Sequence, residues 1–231
     1  MSKNQKAEEQ EAEVMVNVEE VYDRTEHFVN ENQNTILAVV GAIVLVIGGY
    51  FAFDRFYMQP MQEEASAAMF MAEHYFADDS LETALNGDGQ YLGFLSVIED
   101  YSSTDAGNLA QYYAGISYLR LGKFNEAIEH LEKFDSDDQV LAPIALGAIG
   151  DAYSELGDND KAIEFYVKAS ERDENNFTTP VYLFKAGFVA EQAGKTEEAV
   201  RHFTRLKEDF AETNEGREAE KYLARTAAKT N

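Results

Sequence analysis

The residue types that most often carry chemistry are scattered along this chain of 231 residues. Its four histidines fall in separate segments, and none has a second ligand at the spacing that zinc sites use: His27, His74, His130 and His202. The chain has no cysteine, which excludes thiol chemistry, disulfides and cysteine metal sites. No nucleophile, base and orienting residue can be recognised together. The sequence therefore predicts no catalytic residue, metal site or cofactor, and favours a non-enzymatic protein.

The segment from Asn86 to Gly89 (NGDG) has the composition of a calcium or phosphate loop. It lacks the alternating acids and closing glutamate of an EF-hand loop. It also lacks the Gly-Lys-Ser/Thr of a phosphate-binding loop. The sequence therefore favours an ordinary turn at this position.

Any binding surface must instead be built by a repeat that occurs three times, over 108–135, 143–171 and 180–208. Each copy reads as two helices joined by a turn. A glycine in the first helix allows close approach of a neighbouring helix, and a turn glycine stops that helix. An alanine and a large apolar residue in the second helix close the core. These positions, in the same order, are Gly115, Gly150 and Gly187; Gly122, Gly157 and Gly194; Ala127, Ala162 and Ala199; and Leu131, Tyr166 and Phe203.

This pattern resembles the tetratricopeptide repeat, whose period is about 34 residues. The resemblance implies an all-α helical solenoid. The segments 62–76 and 91–101 read as a degenerate first repeat with 77–90 inserted in its turn, and 215–229 reads as a capping helix. We predict five parts: an acidic tail with a short amphipathic helix (1–34), a membrane anchor (35–57), the degenerate repeat (58–107), three repeats (108–210), and the capping helix with the C-terminal end (211–231).

In repeats of this type, four positions of each first helix face the hollow of the superhelix. Transferred to this chain, they are Leu109, Tyr112, Ile116 and Leu119; Ile144, Gly147, Asp151 and Ser154; and Val181, Phe184, Phe188 and Glu191. This apolar and aromatic lining would suit an extended or helical peptide. The alternative is that the degenerate repeat and the capping helix fill the groove themselves. The lysine and asparagine of the family's carboxylate clamp are absent, since Tyr112 and Ile116 stand there, which disfavours chaperone C-termini.

The stretch from Thr35 to Phe53 is apolar and contains no charge. Nineteen helical residues rise about 28 Å, close to the ~30 Å hydrocarbon core of a bilayer. The acidic tail before the stretch and the aromatic residues at its end favour a retained anchor over a cleaved signal peptide. Small residues on one face would permit close packing with another membrane helix: Ala38, Gly41, Leu45, Gly48 and Ala52. Arg24 and Arg55 flank the stretch evenly, and the additional Lys3 and Lys6 of the tail weakly favour a cytoplasmic tail.

The net charge of −24 disfavours nucleic acid and anionic lipid surfaces as partners and leaves protein, peptide or cationic partners open. The simpler interpretation of the acidity is that it keeps the domain soluble. The short acidic tail, the run FVNEN at 28–32, the single anchor and the C-terminal repeats together resemble the ancillary subunit of the bacterial SecYEG translocon. That resemblance implies an inner-membrane protein with its tail in the cytoplasm and its repeats in the periplasm. Its implied partners are the translocon, a membrane-anchored prolyl isomerase and periplasmic chaperones. The main alternative is a cytoplasm-facing scaffold on the membrane that recruits soluble proteins.

Overall fold

The protein is described by a computed structural model that covers residues 21–228. Every regular element in this range is helical, and the chain divides into two units, Met1–Gln59 and Pro60–Asn231. We number the helices α1 Gln33–Phe53, α2 Gln59–Ala77, α3 Leu81–Asn86, α4 Phe94–Asp100, α5 Asp105–Arg120, α6 Phe124–Lys133, α7 Leu141–Glu155, α8 Asn159–Arg172, α9 Thr179–Gln192, α10 Thr196–Asp209 and α11 Asn214–Ala228.

The first unit consists of helical residues 21–31, the apolar helix α1 and a five-residue π-helical segment, Asp54–Met58. No residue of α1 is buried. By length and composition, α1 and its continuation form a candidate membrane span, and none of the apolar window is covered by protein. Two apolar residues of the amphipathic helix predicted before the anchor, Val14 and Val18, lie outside the residues that the structure describes.

The second unit begins with a small core that α2, α3, α4 and α5 share. Its buried residues are Ala65, Met69, Ala72, Ala84, Leu85, Phe94, Val97, Ala106, Ala110 and Ala114. The sequence interpretation placed 77–90 in a turn insertion. The structure instead folds part of it into α3, whose apolar residues Leu81, Ala84 and Leu85 are buried. Because these side chains complete the core, α3 is a packed element of the degenerate repeat.

Three helix pairs follow, α5–α6, α7–α8 and α9–α10, as the repeat predicts. The turn glycines Gly122, Gly157 and Gly194 all have φ near +75°, the left-handed conformation that ends the first helix of each pair. In the pair α7–α8, a Cβ added at Gly150 would lie 2.7 Å from the ring of Tyr166. The predicted small residue and the predicted large residue are therefore in direct contact, and the same holds for Gly115 with Leu131 and for Gly187 with Phe203.

The first helices of the pairs lie side by side, because α5 contacts α7, α7 contacts α9, and α9 contacts α11. The final helix α11 therefore takes the place that the first helix of a fourth repeat would have. Its start is held by Thr213, whose hydroxyl donates to the Phe210 carbonyl (2.8 Å) and accepts from the Gly216 amide (3.0 Å). Four neighbouring helices thus form one row, and the first three of them carry the predicted groove residues.

Candidate partner-binding surface

The predicted turn at NGDG is organised by its own carboxylate. Asp88 accepts hydrogen bonds from the amides of Gln90 and Tyr91, each at 2.8 Å, and from the Tyr75 hydroxyl of α2 at 2.8 Å. The amide of Tyr91 lowers the pKa of Asp88 most, followed by the Tyr75 hydroxyl. The carboxylate therefore fixes the loop against α2.

A pH-dependent contribution to stability follows from this arrangement. The lowered pKa of Asp88 means that its contribution is present above its ordinary value of 3.8 and is lost as the pH falls through the lower folded value. We expect Asp88→Ala to reduce the melting temperature by a few degrees at pH 6, and this difference to shrink below pH 3.8. Thermal melts by circular dichroism measure both. Glu99→Ala, at an exposed carboxylate on α4, is the control, and a difference that persists unchanged in acid would contradict the role of the ionised carboxylate.

The histidines remain separate in the structure. His130 lies against the ring of Tyr118 and contacts Gln111 (2.7 Å), and burial lowers its pKa. His202 is also largely buried on α10, which lowers its pKa. Between residues 21 and 228, no three His, Asp or Glu side chains are grouped as metal ligands.

The N-terminal part of the predicted groove presents apolar side chains that are only partly covered. Tyr112, Ile116 and Leu119 of α5 are half-buried and rest on the core that α6 and α7 form. The Tyr112 ring lies 5.4 Å from the ring of Phe134, which holds it in place. Leu109, one turn earlier, is also half-buried and packs on the N-terminal core. Rigid helices therefore hold these four side chains with part of each surface exposed.

The middle of the groove is polar and internally paired. Lys185 of α9 contacts both carboxylate oxygens of Asp151 on α7, at 2.7 and 2.8 Å. The Tyr166 hydroxyl of α8 donates to the same carboxylate at 2.7 Å, and burial together with this carboxylate raises the pKa of Tyr166. Asp151 therefore links two successive repeats, and sequence reasoning did not identify Lys185 as its partner.

The C-terminal part of the groove is partly covered by the final helix α11. The Tyr222 ring of α11 meets the Phe184 ring edge-to-face at 4.8 Å and also approaches Phe188. The Glu191 side chain is 1% exposed and pairs with Arg225 of α11, with Nε 2.9 Å from Oε1. Of the two alternatives left open by the sequence, this end of the groove shows filling by the capping helix, which still leaves Val181, Phe184 and Phe188 partly exposed.

The helix pairs α5–α6, α7–α8 and α9–α10 are also recognised as a known type of repeat by comparison with protein families. Family models described as tetratricopeptide repeat match residues 144–176, 109–137 and 182–213. The chain thus contains tetratricopeptide repeats, and repeats of this class are typically non-enzymatic scaffolds for protein–protein interaction.

A solved structure shares this fold. It is a crystal structure of nearly identical TPR-like repeats from a Podospora anserina protein named for kinesin light chain. The match covers 72% of this chain and 86% of that chain, with a TM-score of 0.53 and 14% identity. At that identity the likeness shows the fold alone. No curated protein matches the chain significantly.

Proposed function

We propose that this protein is a membrane-anchored scaffold that holds a segment of a partner protein on the surface formed by the first helices of its repeats, α5, α7 and α9, which we call the inner row. The observation that carries this proposal is the partly exposed apolar surface of α5, centred on Tyr112 and Ile116, which no ring of α11 contacts. Aromatic side chains held on rigid helices contribute binding energy at a small cost in conformational entropy. The open part of the groove is therefore the surface on which a partner segment would lie.

The proposed anchor is α1. Its residues are apolar and none is buried by the rest of the chain, which in water would leave a long hydrophobic surface exposed. Insertion in a bilayer removes that surface from water and satisfies the backbone within the helix. The small-residue face at Gly41 and Gly48 is open, since a Cβ added at either glycine would meet nothing within 4 Å. Another membrane helix could pack there closely.

The partners in this proposal are those implied by the resemblance to the ancillary translocon subunit. With the tail in the cytoplasm and the repeats in the periplasm of a bacterial inner membrane, the scaffold would stand beside the translocon. It would pass emerging chains towards a membrane-anchored prolyl isomerase and periplasmic chaperones. Tethering raises the effective concentration of the repeats at that site without any additional contact.

The experiment has two parts. Reporters active only in the periplasm or only in the cytoplasm, fused after Asn231, establish topology. Crosslinking and copurification then compare the wild type with Tyr112→Ser and Ile116→Ser, and circular dichroism confirms that each variant is folded. We expect a periplasmic C-terminus and recovery of translocon and chaperone components that falls at least about fivefold in the variants.

Each part can contradict the proposal separately. A cytoplasmic C-terminus would remove the secretion role and leave the scaffold that faces the cytoplasm. Unchanged copurification by folded groove variants would exclude the inner row of α5 as the binding surface. Phe70→Ser is the matched control, because Phe70 is 65% exposed on α2 and lies outside the groove.

A further inference from the structure

A cavity of about 500 Å³ lies where α7, α9 and α11 begin. Its apolar wall consists of Ile144 from α7, Phe177 from the loop before α9, and Val181 and Tyr182 from the first turn of α9. Tyr182 is seated on α7, since a Cβ added at Gly147 would lie only 1.9 Å from its ring. The cavity lies at the N-terminal ends of the inner-row helices α7 and α9, and Tyr222 is not among the residues that line it.

Phe177 is exposed although its loop is tightly fixed. The side chain is 70% exposed, and the amides of Phe177 and Thr178 donate to the Asn175 side-chain carbonyl oxygen at 2.8 and 2.7 Å. The Asn175 amide group donates in turn to the Thr178 hydroxyl at 2.8 Å and to the Asp173 carbonyl at 2.8 Å. An exposed aromatic ring on a fixed backbone loses little entropy when it is covered, which is the property of an interface anchor.

The opposite wall is acidic. It carries the carboxylates of Glu212 and Glu215, which form no ion pair within residues 21–228, and the guanidinium of Arg217. Arg217 is already engaged, because it donates to the Glu212 carbonyl at 2.6 Å and to the Asn214 side-chain oxygen at 2.5 Å. Both acceptors are neutral, so Arg217 keeps its positive charge. Glu212, Glu215 and Arg217 together leave a net charge of −1 beside the apolar wall.

Helix starts attract anions, so the three helices that begin here could in principle favour an acidic ligand. At α11, however, the Thr213 hydroxyl accepts from the Gly216 amide, and Glu215 places a carboxylate in the first turn. At α9, Pro180 in the first turn has no amide hydrogen to donate. At α7, the Asp138 carboxylate accepts from the Val140 and Leu141 amides at 2.8 and 2.7 Å. Two of the three starts are therefore capped by the chain and the third has one donor fewer, so the side-chain charges determine the preference of the cavity.

We propose that this cavity binds an extended segment of a partner protein that presents a large apolar side chain next to lysine or arginine. The apolar side chain enters between Phe177 and Val181, and the cation pairs with Glu212 and Glu215. The inference rests on the proposed scaffold function and adds the chemistry of the segment that is bound. Charge complementarity selects such a segment over an acidic one.

The probe is the peptide acetyl-Gly-Ser-Leu-Arg-Phe-Arg-Ser-Gly-amide, titrated by calorimetry into the full-length protein in detergent micelles. One matched peptide carries glutamate in place of both arginines, and another carries serine in place of leucine and phenylalanine. We expect a Kd of about 10–100 μM for the first peptide and at least about tenfold weaker binding for the other two. The affinity should fall between about 50 and 500 mM NaCl, because paired surface charges are screened.

Variants locate the binding. Phe177→Ser and the double variant Glu212→Gln/Glu215→Gln should each weaken binding at least about fivefold. The control for the ring is Phe70→Ser, an equally exposed phenylalanine outside the cavity. The control for the carboxylates is Glu197→Gln, an exposed glutamate in the first turn of α10, where the same favourable interaction with a helix start is lost.

The proposal is overturned if the basic peptide does not bind, if the acidic peptide binds as tightly, or if the cavity variants bind like the wild type. Those results leave the scaffold function untouched, because it is tested by copurification of natural partners with Tyr112 and Ile116 variants. If the Tyr112 and Ile116 variants lose copurification while the cavity variants bind the peptide normally, the scaffold function stands and the cavity proposal fails.

Discussion

Phe203→Ala is expected to destabilise the repeats by about 3–5 kcal/mol, which is the range for truncating a fully buried aromatic side chain. The side chain is 0% exposed and sits on the helix crossing that the repeat defines. A Cβ added at Gly187 would lie 2.8 Å from its ring, and the rings of Phe184 and Tyr222 lie 6.1 and 5.3 Å away. Removing the ring leaves a cavity shared by α9, α10 and α11. Urea unfolding of the full-length protein in micelles, followed by circular dichroism, measures the loss.

The matched control is Phe177→Ala, which makes the same substitution at a ring that is 70% exposed. We expect its effect to stay within about 0.5 kcal/mol. A second test uses the glycine that faces Phe203. Gly187→Ala should be destabilising alone and less so beside Phe203→Leu, because the smaller side chain leaves room for the new methyl group. A loss below about 1 kcal/mol for Phe203→Ala would contradict the packing of the repeat that we describe.

The repeats could be predicted from the sequence because each feature is local and occurs three times. The turn glycine at Gly157 and the contact between Gly150 and Tyr166 follow from helical spacing within one repeat, and the structure shows both. The helix α3 was missed because Leu81–Asn86 is too short for its apolar residues to establish a helical period. Its burial depends on the neighbouring helices α2 and α5, which no local pattern reveals.

The candidate site was harder to predict because its properties depend on contacts between repeats. The transferred groove positions include Asp151 and Glu191, but nothing in their spacing indicates that Lys185 and Arg225 bind them from other helices. Phe177 lies in a loop whose position depends on Asn175, so periodicity could not identify it. The only available signal was a large apolar residue in a polar loop, directly before the start of a repeat.

An ion pair between Glu191 and Arg225 joins α9 to α11, the helix that partly covers the groove. Arg225→Ala is expected to destabilise α11 by about 2–3 kcal/mol, since it removes the cation from a carboxylate whose side chain is 1% exposed. This destabilisation is smaller than is usual when one partner of a buried ion pair is removed, because the Arg225 side chain is 42% exposed. The guanidinium also lies 4.4 Å from the centre of the Tyr222 ring, so its loss weakens the packing of that ring as well.

Amide hydrogen exchange of α11 in the full-length protein measures this effect. The control is Lys221→Ala, because Lys221 also lies over the Tyr222 ring (5.6 Å) but does not pair with Glu191. We expect faster exchange across α11 in Arg225→Ala and wild-type exchange in the control. Glu191→Gln should recover part of the loss when combined with Arg225→Ala, because it removes the buried charge left without its cation. Wild-type exchange in Arg225→Ala would mean that the packing of Tyr222 on Phe184 and Phe188 alone holds α11 in place. Faster exchange would instead mean that the ion pair limits the exposure of the Phe184 and Phe188 rings. It would then also limit the length of apolar surface that a partner can contact.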